Sequence, residues 1–427
     1  MAKNETIFVN IASYRDPELV PTIKDCLEKA KYPERLRFGI CWQHNPEDEW
    51  DNLDEFKNDS RFRIDDVHFQ EAKGVCWARN RTQKLWVKEK YTLQLDSHHR
   101  FIENWDEECI KMYKDSIKAG YPKPLLTSYI PSYDPKNDPD GRVNEPWYLC
   151  YDRIAPEGPL HTKPHTMINW REEKTPVPSR FLSAHFIFTD GIFNRDVQYD
   201  PSLYFHGEEI TMAVRAFSWG YDLLAPHKVV CWHHYGRDFD IKHWSEHEFE
   251  LRDKVSFQRV RQLLGVGRVK CRPCQLRQLE PYAFGPHRTL KQYEEWAGIN
   301  FTDVTVQQYT LDHHYPPNPT EFETAKAFSD SFLKHNRFCI DIHKSHFRKD
   351  DYAFIVVSFE GEEPDDVINR VDMDPVEFKR LMDEDPNDEF IHVWRSFYGP
   401  RPYKYVIWPN SISEGYIDRF EHVYEYN

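Results

Sequence analysis

No apolar run in this chain approaches the roughly 20 residues that a membrane-spanning helix needs, and residues 1–6 lead toward a strand without a charged-then-apolar leader. These absences predict a soluble, cytoplasmic protein with no membrane span. Positive charge is also scarce. With 56 Lys and Arg against 71 Asp and Glu, the formal net charge is -15. That balance argues against nucleic acid as the main partner and leaves room only for a local basic pocket, large enough for one diphosphate. Nine cysteines, an odd number, are scattered without framework spacing, so reduced thiols are expected rather than a disulfide scaffold. Cys271-Arg272-Pro273-Cys274 lacks a second CxxC and reads as an incidental pair rather than half of a zinc knuckle. No GxGxxG follows the first strand, which disfavours a dinucleotide fold, and no internal repeat is evident.

What the chain does contain starts with length. At 427 residues it exceeds one ordinary domain, and a large α/β core with an accessory region is expected. Residues 7–11 form a short apolar strand, Ser13-Tyr14-Arg15-Asp16-Pro17 breaks it, and Leu19, Ile23, Leu27 and Ala30 then recur at helical spacing. Asp16 suits the cap of that helix and Pro17 its first turn. A second strand at 36–42 completes a β-α-β opening, whose first loop usually faces a ligand.

The stretch Tyr91-Thr92-Leu93-Gln94-Leu95 alternates apolar and polar residues, a period of two that predicts a strand with one buried face. It runs into Asp96-Ser97-His98. On a regular strand Asp96 and His98 point the same way and Ser97 the other, so a carboxylate and an imidazole could meet one divalent cation beyond the sheet. The carboxyl ends of strands are where open α/β sheets hold ligands. Upstream, Arg79 and Arg81 near a helix start could meet a diphosphate. Downstream, residues 222–232 read as one strand that delivers His233 and His234. With Asp96 and His98 these give a two-His, one-carboxylate set, which suits manganese better than calcium, while the remaining histidine hydrogen-bonds in the core.

Further candidates are weaker. Residues 181–189 form a buried strand whose His185 reads as a satisfied core imidazole. Glu208 and Glu209 begin an amphipathic helix, where the macrodipole favours acids; a functional role would turn one toward a substrate. Residues 145–178 show little periodicity and read as a substrate-facing excursion or a long connection. A charged helix over 246–264 should bury Phe249, Phe257, Val260 and Leu264. Tyr315-Pro316-Pro317-Asn318-Pro319 is the clearest linker. Beyond it an acidic block holds strands at 352–359 and 403–408 and a helix at 375–382. Aromatics reach 15%, with 13 Trp and 24 Tyr, and such rings also line carbohydrate and peptide sites.

Four pieces in combination, Ile11-Ala12-Ser13-Tyr14-Arg15-Asp16-Pro17, Leu95-Asp96-Ser97-His98-His99-Arg100-Phe101, Gly207-Glu208-Glu209-Ile210, and Arg288-Thr289-Leu290 with Gly298-Ile299-Asn300-Phe301, resemble the N-acetylglucosaminyltransferases that glycosylate hydroxyproline on cytoplasmic proteins. The likeness covers roughly residues 5–305. More distantly, Asp96-Ser97-His98 is similar to the DxH metal motif of the mucin-type polypeptide N-acetylgalactosaminyltransferases. Gly207-Glu208-Glu209 resembles their Gly-Glu-Asn with Glu in place of Asn, and His233 with Tyr235 matches their third metal ligand better than His234 does. The resemblance implies an α/β fold of the GT-A type over residues 1–314 with an accessory α+β region at 320–427. It also implies a retaining transfer of N-acetylglucosamine, or a related sugar, from a UDP-sugar to a protein Ser/Thr or hydroxyproline. The metal ligands would be Asp96, His98 and His233, binding Mn2+ or Mg2+. Donor contacts would come from Ser13, Tyr14, Arg15, Asp16, Arg79, Asp96 and Ser97. Glu208, Glu209 and Arg79 would serve catalysis. Alternatives are a glycan or small-molecule acceptor, a metal-dependent hydrolase built on the same ligands, and a catalytically silent nucleotide-sugar binder.

Overall fold

A computed structural model describes residues 5–155, 157–237, 240–269, 279–363 and 366–425; the Cys271–Cys274 pair lies outside them. The chain divides into two compact units, Met1–Glu323 and Thr324–Asn427.

In the first unit β1 (Ile7–Tyr14), α1 (Leu19–Lys29), β2 (Leu36–His44), β3 (Phe62–His68), α2 (Val75–Gln83) and β4 (Tyr91–Leu95) follow one another. After them come β5 (His99–Phe101), α3 (Trp105–Lys118), β6 (Pro124–Thr127), β7 (Trp147–Ile154), β8 (Leu160–Thr166), β9 (Val177–Pro178) and β10 (Phe186–Asp190). The remainder is α4 (Phe193–Asp196), α5 (Glu208–Ser218), β11 (Asp222–Ala225), β12 (Cys231–His233), α6 (His243–Glu246) and α7 (Glu250–Leu264). Eight strands form one mixed sheet in the order β3-β2-β1-β4-β10-β6-β11-β9. Strands β3, β2, β1 and β4 are parallel, and β10 runs antiparallel between β4 and β6. The mixed α/β class expected from the sequence is the one observed.

β4 departs from its expected one-sided burial, because all five of its residues are buried. A strand flanked by β1 and β10 and covered on both faces has no solvent side. Its polar members find partners instead: Thr92 Oγ1 donates to the Phe8 carbonyl at 3.3 Å, and Gln94 Nε2 donates to the Ala184 carbonyl at 2.6 Å. Helix α1 buries Leu19, Thr22, Ile23 and Cys26 on one face. It begins at Leu19, later than the expected cap at Asp16.

Three readings of the sequence are corrected by tertiary structure. Residues 145–178, read as a substrate-facing excursion or a long connection, contain regular structure: β7 and β8 pair antiparallel as a hairpin, hidden in the sequence by its His and Pro residues. Residues 222–232 are not one strand but two in different sheets. β11 joins the main sheet, whereas β12 pairs antiparallel with β5 and sets His233 opposite His99. Helix α7 buries Ser256, Val260, Leu263 and Leu264, leaving Phe249 at its cap and Phe257 half-buried.

Residues 315–319 pack within the first unit. The Asn318 side chain accepts from the Arg180 guanidinium and donates to Gln307 Oε1 at 2.7 Å and Thr310 Oγ1 at 2.9 Å, and the boundary falls after Glu323.

The first unit also contains β13 (Ile299–Asn300) and β14 (Thr305–Gln307). The second holds β15 (Phe332–His343), β16 (Tyr352–Glu360), β17 (Val367–Arg370), β18 (Phe390–Gly399), β19 (Lys404–Ser411), β20 (Gly415–Tyr416) and β21 (Phe420–Val423), with a helix at Pro375–Glu384. β15 and β18 pair along ten residues, and β16, β17, β19, β20 and β21 form a second group. Ile340, Ile342, Ile355, Val357, Phe359, Ile391 and Val393 make the core between them. The sequence reading found β16, β19 and the helix but not β15 or β18, whose polar alternation marks one open face. Among the described residues no helix is long and apolar enough to cross a membrane.

Candidate active site

Asp96 leaves the carboxyl end of the central strand, and the chain turns at once into β5. Because β5 pairs with β12, the tip of β12 is carried to the same point. His98 Nε2 and His233 Nε2 lie 3.0 Å apart. Asp96 Oδ2 stands 3.5 Å from His233 Nε2 and 3.9 Å from His98 Nε2. One oxygen and two nitrogens therefore converge on a common point, and all three ligand atoms lie within 4.8 Å of one another. Ligands about 2.1 Å from one small divalent ion stand roughly 3 Å apart when cis, so the separations suit such an ion. His234 is not in this set; its ring tilts against Tyr133 with centroids 5.8 Å apart.

The supporting contacts fix which nitrogen is available. His98 Nδ1 lies 2.8 Å from Asp16 Oδ2, and Nε2 is 3.3 Å from Arg237 Nη1, an obligate donor. The imidazole therefore donates through Nδ1 and presents a lone pair at Nε2. Asp16 is buried and also accepts from Ser97 Oγ at 2.6 Å and pairs with Arg237 Nη2 at 3.0 Å. Burial works to raise its pKa, but His98, Arg237 and Ser97 outweigh it and hold the carboxyl well below the usual carboxylate range. The His233 pKa is lowered as well, but here burial, with His185 beside it, favours the uncharged form and keeps the imidazole neutral. His185 stacks on His233 at 4.3 Å and is itself engaged with Ser183 Oγ at 3.0 Å and the Ile130 amide at 3.2 Å. The fourth histidine is thus a satisfied core imidazole.

Arg79, on α2, is buried and donates to Asp96 Oδ1 at 2.6 Å, with Glu208 Oε1 3.8 Å away. Burial opposes the charge on Asp96, yet Arg79 and His233 overcome it and keep the acid ionised. Gly74 lets α2 come this close: its φ of +109° is open to glycine, and a Cβ there would stand 2.7 Å from the Tyr204 ring. Arg81 points elsewhere and forks onto Asp65, donating at 2.6 Å to Oδ1. It is not part of the site.

Two cavities meet at this cluster. One, of roughly 380 Å3, is lined by Tyr14, Asp16, Ser97, Tyr204, Lys242 and Trp244 among others; the second, of roughly 650 Å3, by Tyr129, Trp147, His161, His206, Glu208 and Glu209. Arg79, Asp96, Phe205, His233 and Tyr235 line both. The two expected acids differ in use. Glu209 accepts from the Ala184 amide at 2.9 Å and from the Tyr129 hydroxyl at 3.2 Å, so it braces the wall. Glu208 faces Arg79, and burial together with the Glu209 charge raises its pKa.

Of the expected donor contacts, Tyr14, Asp16, Arg79, Asp96 and Ser97 line the first cavity. Ser13 and Arg15 line neither: Ser13 is fully buried in β1, and the Arg15 guanidinium is taken up by Asp48 at 2.7 Å and by Glu246. The sequence reading overlooked Arg237, Tyr204 and Phe205, and it read 145–178 as a substrate-facing excursion or long connection without seeing the hairpin that lines the second cavity. Only Arg237 carried a signal, being a cation just past the histidine pair.

The profile of the family described as Glycosyltransferase (GlcNAc) matches residues 6–61 and 51–303. No curated protein sequence matches. Among solved structures, GalNAc-T7 in complex with UDP, GalNAc and Mn2+ is 14% identical and aligns over 75% of this chain and 59% of its own length, with a TM-score of 0.47. TarS residues 1–349 of S. aureus with UDP-GlcNAc is 11% identical over 60% of this chain and 65% of its own, with a TM-score of 0.38. Full-length S. aureus TarS is 9% identical over 98% and 86%, also at 0.38. The chain thus spans about three-fifths of the length of the first of these. With the profile covering most of the chain and the chemistry gathered inside the matched span, this protein belongs to the GlcNAc glycosyltransferase family.

Proposed function

We propose that the protein transfers N-acetylglucosamine, or a closely related sugar, from a UDP-sugar to a hydroxyl acceptor with retention of anomeric configuration, in a reaction that depends on a divalent cation. The observation that carries this reading is the convergence of Asp96, His98 and His233 between two cavities, at the carboxyl end of the central strand of a GT-A-type sheet. The smaller cavity suits the nucleotide and the larger one the acceptor. A protein Ser/Thr or hydroxyproline side chain is the acceptor we favour, in line with the sequence motifs.

Asp96, His98 and His233 would hold the cation, a mixed oxygen and nitrogen set suited to Mn2+. When bound, it supplies a Lewis acid that neutralises charge building on the departing diphosphate. Asp16 keeps the His98 lone pair aimed at that point. Arg79 holds Asp96 in its ionised form and adds positive charge beside the phosphates. In the transfer, the bond from the anomeric carbon to the β-phosphate oxygen breaks, and the acceptor oxygen bonds to that carbon from the same face. The hydroxyl proton passes to the departing phosphate. No protein nucleophile is required, so Glu208 positions sugar or acceptor.

The test is a donor screen with UDP-GlcNAc, UDP-GalNAc and UDP-glucose, run with Mn2+ or with EDTA and read by UDP release. Release with an N-acetylhexosamine donor, dependent on the ion, is expected. UDP-sugar binding without turnover across an acceptor panel that includes hydroxyproline peptides would instead identify a silent binder, and release of inorganic phosphate a hydrolase.

A further inference from the structure

The second unit carries a cluster of metal-ligating side chains that the transfer reaction does not use. On β15, Cys339 and Asp341 are two residues apart and so project from the same face, while Ile340 and Ile342 project into the core. In the antiparallel ladder Asp341 lies opposite His392 of β18, which places side chains of opposed residues within reach of each other. Cys339 Sγ is 3.5 Å from Asp341 Oδ1, and His392 Nδ1 is 2.7 Å from the same oxygen. One sulfur, one oxygen and one nitrogen lie within 4.8 Å of one another. A fourth group orients the imidazole: His392 Nε2 lies 3.0 Å from Asp388 Oδ2. With Nε2–H donated to that carboxylate, Nδ1 is the nitrogen aimed at Cys339 and Asp341, the second-sphere arrangement that accompanies metal-bound histidines.

We propose that Cys339, Asp341 and His392 form a second cation site, selective for a borderline-soft divalent ion such as Zn2+, that pins β15 to β18 and leaves one coordination position open. The donor set decides the ion. Thiolate with imidazole and a single carboxylate favours Zn2+ over the oxygen-seeking Mg2+, Ca2+ and Mn2+, so this site and the Asp96 cluster would take different metals. Three protein ligands with a fourth place open to solvent is an unfilled tetrahedron, and the adjoining cavity of roughly 440 Å3, lined by Arg380, Asp385 and Trp394, gives that place room for an exogenous ligand. Cys339 is the exposed one among the described cysteines; Cys26, Cys41, Cys76, Cys109, Cys150 and Cys231 are buried.

The full-length chain is titrated with Co2+ as a spectroscopic substitute for Zn2+, and bound Zn2+ is counted by native mass spectrometry. A sulfur-to-cobalt charge-transfer band, together with one Zn2+ that is lost in Cys339→Ser, is the expected result. Asp388→Asn should weaken that ion about 10–100-fold while keeping the band. Because Cys271 and Cys274 are also thiols, the titration is repeated in Cys271→Ser/Cys274→Ser, where the band should survive. A band and Zn2+ count unaltered by Cys339→Ser, or no Zn2+ bound at micromolar concentration in any form, would overturn the site. None of these readouts depends on sugar transfer, so failure here is distinguishable from failure of the proposed activity.

Discussion

The two Asp–His clusters of this chain are built from similar residues in opposite surroundings. At the Asp96 cluster His98 and His233 are buried, and the Asp96 side chain is 25% exposed. At the Cys339 cluster His392 and Asp341 are 50% and 60% exposed. Burial changes what a histidine does. His233 is held neutral, because a charge there would lose its water. His392 is pushed the other way, since Asp341 and Asp388 favour its protonated form and water pays little penalty for it. The buried cluster is also braced from outside, by Asp16 on one ligand and Arg79 on another, whereas the exposed one leans on Asp388 alone. A site for charge developing in a reaction needs the first environment, since oriented groups in a dry cleft act more strongly than the same groups in water.

This contrast can be broken most forcefully at the buried carboxylate. Asp96→Asn should cost more than about a hundredfold in transfer, beyond the loss typical of supporting residues, with an unaltered circular dichroism spectrum; retention of full turnover would refute the ligand assignment. Asp16→Asn, which leaves every ligand in place, should weaken Mn2+ binding about 10–100-fold by calorimetry, and a merely structural Asp16 would lower the melting temperature without moving that affinity. Next in size, Glu208→Ala should reduce kcat/KM by about tenfold, the equivalent of one lost hydrogen bond to sugar or acceptor; an unchanged ratio would leave Glu208 outside substrate positioning.

Acidification separates the two units by sign. Burial lowers the His227 pKa to about 4, so below pH 6.5 the unfolded chain takes up a proton that the folded first unit refuses. Stability should therefore fall as pH drops from about 6.5 toward 4, by about 1.4 kcal/mol per pH unit for this residue. In the metal-free protein His392, with its raised pKa, contributes stability that is present below about pH 6.5 and is lost as pH rises through its folded value. Urea midpoints followed against pH should show the first slope reduced in His227→Gln, and an unchanged slope would discount the linkage. Smallest of all, Arg81→Gln should cost no more than about 1 kcal/mol, as expected for a half-exposed ion pair, and should leave UDP release untouched; a loss of release would return Arg81 to the site.

Much of the site was legible along the chain because strand geometry is local. Asp96 and His98 share a face by the period of two, and an imidazole pair at the end of an apolar segment announces itself. What was not legible required partners distant in sequence. Asp16 reads as a helix cap until β4 is laid beside β1, when its carboxylate meets His98. Arg79 lies nearer the helix start than Arg81, which favours it for the site, but that Arg81 is taken away altogether depends on the neighbouring β3 carboxylate at Asp65. Glu208 and Glu209 are likewise indistinguishable until the Ala184 amide claims the second. Strands β15 and β18 escaped because each is covered on one face only and carries polar residues on the other, and the β7–β8 hairpin because β8 is largely exposed and its His and Pro residues break the pattern that periodicity depends on.

The sequence alone determined the alternating α/β order, the motifs that belong to a glycosyltransferase family, and the donor atoms available to a cation, since these follow from residue type and from periods of two and 3.6. Tertiary structure alone decided that Asp16 and Arg79 hold the cluster and that it stands between two cavities, and it placed there the His233 that the motif had already favoured over His234. Those outcomes rest on the pairing of β5 with β12 across more than a hundred residues, a contact set by the packing of the whole sheet rather than by any local preference.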